Sequence, residues 1–569
     1  MRRLGLILVL LLTLAGLLTA AGILLSRGDG WRLDGTTVLS WRLDGDLAEQ
    51  APAHGWYLPG MRPPTSIATV YSALAGARRD GSLRGIAVSI GTPRFGLAKA
   101  QEVHQLLTSL HHSGKFVRCY LETAGEGSNG TLTYYLATAC DRIALAPAGE
   151  INLLGLYADS TFLRGTLEKL KIDPAFGHIG KYKSAGETFT EYGHSPAARE
   201  AMDAVLDRDF ADITGAIAAA RKLTPTRVRE LIDQAPFTAE DAQRAGLVDD
   251  LQYADEFRTE IEKLAGGEPR IAALEAYAPR SSYGAPRVAV VFAAGTIVRG
   301  RGGSNPWTDE SFLGSRDMER TLDKLGEDKG LSAIVLRVDS PGGSALASDL
   351  ILRSVERLAA RKPLIVSMAD VAASGGYYIS AKARRIVAEP ATLTGSIGVV
   401  GGKLVVRRFQ QDLLGITHDP LTRGANAGIY SALEPFTPEQ QERFLAQMEH
   451  TYRTFVGHVA AGRKMSPEAV DAVAGGRVWT GADARERGLV DELGGLDAAL
   501  ALARSEAGIA PGTQLALEFH PEPASFFEML AGRRGVALPA ALKLAIDGLE
   551  EPSIKLLLPP ELGRLARPF

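Results

Sequence analysis

"AIVLRVDSPGGSALASDLILRSVERLAA", Ala333 to Ala360, decides the fold. Its first eight residues are rich in aliphatic and β-branched types, and its last sixteen carry apolar residues at helical spacing. A turn of Pro341, Gly342, Gly343 and Ser344 separates the two. That is a strand, a glycine turn and a helix, the opening of a βαβ unit. "PLIVSMAD" (Pro363–Asp370) supplies the next strand, and "VAASGGYYIS" (Val371–Ser380) runs through a second glycine turn into a second helix. Strands alternating with helices indicate a largely parallel sheet, whose ligands gather at the carboxyl ends of the strands.

The same pattern occurs twice. "YYLATACDRIALAPA" from Tyr134 recurs as "YYISAKARRIVAEPA" from Tyr377. "FTAEDAQRAGLVDDL" from Phe237 recurs as "WTGADARERGLVDEL" from Trp479. Both pairs lie about 243 residues apart, so the chain is a tandem duplication. "GIAVSI" at Gly85 and "LAKAQEVHQLLTSL" at Leu97 are the first copy's strand and helix. The expected organisation is a first α/β domain over 36–264, a linker over 265–287, a second α/β domain over 288–505 and a tail over 506–569. The tail contains an apolar run, "SIKLLLPP" (Ser553–Pro560), with no assignable role.

At 569 residues the chain is too long for one core, and about two to four domains are expected. A net charge of −3, with 46% hydrophobic and 23% charged residues, fits a folded protein and gives no reason to expect nucleic acid. After Arg2 and Arg3, residues Leu4 to Leu25 carry no charge and are long enough to cross about 30 Å of hydrocarbon. Residues 1–28 therefore read as an N-terminal transmembrane anchor; the run is longer than the core of a cleaved signal peptide. The two arginines stay in the cytoplasm and the rest lies outside it. Cys119 and Cys140 lie in one domain; they either pair or remain two buried thiols, and the sequence leaves both open. Their spacing fits no zinc pattern, so no metal is implied.

The chemistry lies in the differences between the copies. Ser374 sits between a strand and a helix, where a free helix N-terminus favours developing negative charge. Thr131 takes its place in the first copy, and Arg94 and Phe95 stand where the second has Gly342 and Gly343. Each turn alone is an ordinary βα connection. At a third pair the asymmetry reverses: "YKSAGETF" carries Lys183, whereas "IYSALEPF" carries Tyr430 at that place. A lysine serves as general base only when neutral, which burial between two domains supplies. Read alone, Lys183 is a surface lysine beside Lys181.

"DSPGGS" at Asp339, "AASGGYY" at Ala372, "TLTGSIGV" at Thr392 and "YKSA" at Tyr182 resemble the signal peptide peptidase A family, in its long, duplicated, membrane-anchored form. The resemblance runs from about Val38 to Ser505 and implies a Clp protease/crotonase-like fold and a serine protease with a Ser-Lys dyad. It implies Ser374 as nucleophile, Lys183 as general base, Ser396 as the serine that orients the lysine, and the backbone N–H groups of Gly343 and Gly375 as oxyanion hole. Leu153 stands opposite Ser396 in the first copy. It also implies remnant signal peptides and other apolar peptides as substrates, a homotetramer, no cofactor, and catalytic domains on the extracytoplasmic face of the inner membrane. Two alternatives compete. A Ser-His-Asp site would need His178 or His418 near Ser374, and a decayed membrane-anchored quality-control scaffold would need no dyad at all.

Overall fold

The structure is a computed structural model that describes residues 37–50, 65–277, 284–304, 310–521 and 555–557. Two parallel sheets repeat one strand order. In the first, Asp250–Leu251, Arg142–Leu145, Phe116–Leu121, Leu83–Pro93, Thr37–Gly45 and Ile271–Ala273 lie side by side. In the second, the corresponding run is Glu492–Leu493, Arg385–Ala388, Leu364–Ala373, Leu331–Ser340, Arg287–Ala294 and Ala516–His520.

The repetition extends to single contacts. Pro196–Arg221 and Pro438–Arg463 both start with proline at the first turn behind a capping hydroxyl, Ser195 or Thr437. Both end at a lysine in the left-handed region, Lys222 or Lys464. Arg221 pairs with Asp249 as Arg463 pairs with Asp491, and the Tyr134 and Tyr377 hydroxyls donate to the Leu247 and Leu489 carbonyls.

Two stretches carry more structure than their composition suggested. The 265–287 segment adds Ile271–Ala273 to the edge of the first sheet, beside Val38–Ser40. Beyond residue 506, Ala516–His520 adds the matching edge strand to the second sheet, against Arg287–Val291. Both short strands are hard to find by pattern, because an edge strand of three to five residues has little room for periodicity.

The two units share a core. Along Arg287–Ala294, Val288, Val290 and Phe292 pack with the first unit's apolar residues, while Ala289, Val291 and Ala293 pack against the second unit's own helices. A parallel strand buried on both faces needs such a continuous apolar run. Charges are buried in this contact too. Arg337, fully buried, donates to Glu49 at 2.7 Å, to Glu102 at 2.6 Å and to Ser367 at 2.9 Å. Lys99 Nζ lies 3.1 Å from Glu49 and 3.6 Å from both Asp339 and Asp370. The helix Leu97–His112 of the first unit is thereby tied to the strand ends that lead into the two glycine turns.

Cys119 and Cys140 form a disulfide with a Cα–Cα distance of 5.8 Å. The apolar run Leu4–Leu25 lies outside the described residues, as do 278–283 of the 265–287 segment and most of the chain beyond His520. Among the described residues, no helix is long and apolar enough to cross a membrane.

Candidate active site

Ser374 stands where the strand Leu364–Ala373 ends and the helix Gly375–Ser380 begins. The turn is sharp, with φ 54° and ψ −113° at Ser374, a region that non-glycine residues rarely occupy and that costs about 1–3 kcal/mol. Glycines on its helical side make the turn possible. A Cβ on Gly375 would stand 2.7 Å from Ser348 Oγ, and one on Gly376 would stand 2.5 Å from the Ser340 carbonyl oxygen. Val371–Ala373 pairs in parallel with Leu393–Gly395, and the Ser374 N–H donates to the Gly395 carbonyl at 2.8 Å. Ser374 and Ser396 therefore end adjacent strands, and Ser396 is also left-handed, with φ 51°.

Lys183 reaches this point from the other copy. The first unit's strand Asp173–Ile179 pairs antiparallel with Val399–Val405, which follows Ser396, with Ile179 opposite Val399. Gly180, at φ 109°, turns the chain, and the Tyr182 N–H donates to the Gly475 carbonyl at 2.7 Å. A Cβ on Gly476 would stand 2.6 Å from the Lys183 backbone, so only glycine lets the lysine loop lie this close. Lys183 is 1% exposed, whereas its neighbour Lys181 is at the surface.

Lys183 Nζ lies 2.8 Å from Ser374 Oγ, 2.9 Å from Ser396 Oγ and 3.0 Å from the Ser396 carbonyl oxygen. Burial holds its pKa well below the usual lysine range, because desolvation penalises the ammonium. A neutral amine has two N–H donors and one lone pair. The Ser396 carbonyl can only accept, so it takes one N–H, and Ser396 Oγ takes the other. The lone pair then faces the Ser374 hydroxyl. This arrangement can draw a proton from Ser374 Oγ.

Gly343 is the third part. Its φ is 152°, and a Cβ there would stand 2.1 Å from the Ile297 carbonyl oxygen, so the loop lies flat on Thr296–Val298. A Cβ on Gly375 would stand 3.0 Å from Gly342 Cα and 3.2 Å from the Gly343 nitrogen. The two glycine turns are thus in contact beside Ser374.

The first copy has no such site. Thr131 Oγ accepts the Gly155 N–H at 3.0 Å, Leu153 is fully buried in the apolar core, and Arg94 is exposed. Tyr430 is 44% exposed and its hydroxyl donates to Gln447. His178 faces the Gly180 carbonyl and His418 faces Gln410, so the histidine alternative has no partner for Ser374. Among the described residues, no cluster of His, Cys, Asp or Glu could hold a metal ion.

Sequence reading missed Gly475 and Gly476, which seat the lysine loop, and the carboxylate of Asp370. Asp370 accepts the Gly96 and Lys99 N–H groups at 3.0 and 2.8 Å, four residues before Ser374. Burial pushes its pKa up to about 6 against the pull of Lys99. The glycine pair in "AVAGGRVWT" was a visible signal, but nothing local linked it to a lysine nearly three hundred residues upstream.

Residues 121–268 and 356–510 match the profile of peptidase family S49. The chain is 32% identical over 508 residues to the chloroplastic serine protease SPPA of Arabidopsis thaliana, a match covering 87% of this chain and 73% of that protein. It is 31% identical to Protease 4 of Salmonella typhi, covering 85% and 78%, and 30% identical to Protease 4 of Haemophilus influenzae, with the same coverage.

Proposed function

This chain belongs to peptidase family S49 and is a serine protease, and from that premise we propose that it cleaves peptide bonds with a Ser374–Lys183 dyad assembled from its two halves. The observation that carries the proposal is the buried Lys183 amine, 2.8 Å from Ser374 Oγ and with no charged partner among the causes of its lowered pKa. In the first step Lys183 takes the Ser374 proton as Oγ attacks the substrate carbonyl, and the Gly343 and Gly375 amides stabilise the oxyanion. The ammonium, held by Ser396 Oγ and the Ser396 carbonyl, returns the proton to the leaving amine. Water then attacks the acyl-enzyme with the same lysine as base. No step calls for a cofactor.

The finer reading is a duplicated Clp protease/crotonase-like enzyme that degrades remnant signal peptides and other apolar peptides as a homotetramer. Residues Leu4–Leu25 would anchor it in the inner membrane with both units on the extracytoplasmic side. The Cys119–Cys140 disulfide supports that side, since disulfides persist in oxidising compartments. A serine-reactive fluorophosphonate that labels the wild type but neither Ser374→Ala nor Lys183→Met supports the dyad. Equal labelling of all three would mean that another serine reacts, and no labelling of any would favour the decayed scaffold.

A further inference from the structure

Two carboxylates stand at equal distances along the chain from the two glycine turns: Asp339 comes four residues before Gly343, and Asp370 four residues before Ser374. Their strands run parallel, but the register breaks between them. Val338 opposes Met368 and Ser340 opposes Ala372, so Asp339 alone faces residues 369–371. A bulge of this kind interrupts the backbone ladder. Side chains bridge the gap instead. Asp339 Oδ1 accepts the Val371 N–H at 3.1 Å, and beyond it Ser340 Oγ accepts the Gly342 N–H at 3.2 Å. The first copy closes the cluster. Asp370 accepts the N–H groups of Gly96 and Lys99, amides left free at the start of Leu97–His112, and Lys99 Nζ lies 3.6 Å from both Asp339 Oδ2 and Asp370 Oδ2. Nζ also donates to the Leu47 carbonyl at 3.0 Å and lies 3.1 Å from Glu49, which Arg337 holds as well.

The split between copies that separates Lys183 from Ser374 recurs here. Lys99 is the third residue of Leu97–His112, and the third residue of the matching helix Ala345–Ala359 is Ala347. Asp339 ends "AIVLRVD", and Gly91 takes its place in "GIAVSIG". The cation belongs to the first copy and its carboxylate to the second. We propose that Lys99 is a positioning residue for peptide-bond cleavage: its ammonium, reaching across from the first copy, holds the strand end before Gly343 and the strand end before Ser374 at one fixed offset. The proposal rests on the dyad reading above. The physical basis is charge balance at a weak point of the sheet. Without Lys99, the Asp339 and Asp370 carboxylates share the bulge with no ammonium between them, and the bulge, where the ladder is already open, gives way first. Ser374 and the Gly343 N–H then shift relative to each other, and an error of about 1 Å in reacting geometry costs up to about 10²-fold in rate. Lys99 is 5% exposed and cannot touch a substrate, so binding is left as it was.

The experiment uses the full-length chain and steady-state hydrolysis of a fluorogenic apolar peptide, with thermal unfolding as a check on folding. We expect Lys99→Met to lower kcat by about 10–10²-fold with KM unchanged, and Lys99→Arg, which keeps the charge, to retain most of kcat. Asp339→Asn keeps the acceptor for the Val371 N–H and removes one carboxylate charge. Alone it should lower kcat by about threefold, since it loses only a partly exposed ion pair. Placed in Lys99→Met it should raise kcat by about threefold over Lys99→Met, because one charge fewer is left uncompensated. A merely structural role would make the double variant no better than either single one. Wild-type kcat in Lys99→Met, a loss carried by KM, or a double variant with kcat at or below that of Lys99→Met overturns the proposal. If Lys99→Met does not fold, Asp339→Asn carries the test alone, with wild-type kcat as the refuting result. Lys183→Met, run alongside, tests the dyad separately. Full activity there with the Lys99 pattern intact refutes the dyad and leaves the positioning role standing; lost activity there with a wild-type rate in Lys99→Met does the reverse.

Discussion

Ser396→Ala isolates what the hydroxyl beside Lys183 contributes. Ser396 Oγ is one of two acceptors for the amine, at 2.9 Å, and the Ser396 carbonyl at 3.0 Å survives the substitution. Alanine keeps the Cβ, so the left-handed backbone at φ 51° is no worse for it than for serine. In the resting enzyme the lost bond is between neutral groups, with a net worth of about 0.5–1.5 kcal/mol; in the transition state the amine is becoming an ammonium, and such a bond is worth about 1.5–3 kcal/mol. The difference, about 1–1.5 kcal/mol, is the part felt as rate, and it predicts a fall in kcat of roughly tenfold. The same preference for the charged amine has a second consequence. Removing the hydroxyl disfavours the ammonium further, so the acid limb of kcat/KM should move to lower pH. The assay is steady-state hydrolysis of a fluorogenic peptide across pH, with thermal unfolding as a check on folding. A full-rate Ser396→Ala enzyme, or one whose acid limb moves to higher pH, would refute the reasoning.

We predict that Lys183→Met lowers kcat by about 10²–10⁴, the range of a general base, while Lys181→Met stays near wild type; equal losses in the two would remove Lys183 from the mechanism. Because burial lowers the Lys183 pKa, wild-type kcat/KM should rise as pH climbs through that lowered value, since only the neutral amine accepts the Ser374 proton. Stability carries the same sign. Between the folded and unfolded pKa values the unfolded chain binds the extra proton, so stability also rises with pH there, and Lys183→Met should flatten that portion of a Tm-against-pH curve. At the contact between the copies, Arg337→Met leaves Glu102 buried without its cation and Glu49 with Lys99 alone, and should cost about 3–5 kcal/mol, read as a lower denaturation midpoint. A midpoint within error of wild type would mean that the carboxylates are hydrated or protonated at no cost.

The sequence alone determined the duplicated α/β plan, because strand and helix periodicities are local and the two copies repeat them in register. It also determined the asymmetry that singles out Ser374 and Lys183, since a residue kept in only one copy is visible by comparing the chain with itself. The short edge strands Ile271–Ala273 and Ala516–His520 were not legible. Their existence depends on neighbours that lie more than two hundred residues away in the chain. What only the tertiary structure decided was the state of the lysine. "GKYK" offers two lysines two residues apart, and composition cannot say which is dry. The antiparallel pairing of Asp173–Ile179 with Val399–Val405, with Gly475 and Gly476 against the loop, buries Lys183 and leaves Lys181 in water. The lowered pKa of Lys183 is a property of that burial, and burial is set by the packing of one copy on the other. The same holds for Lys555–Leu557, whose letters read as a stray apolar run until Gly342–Ser344 pairs with them.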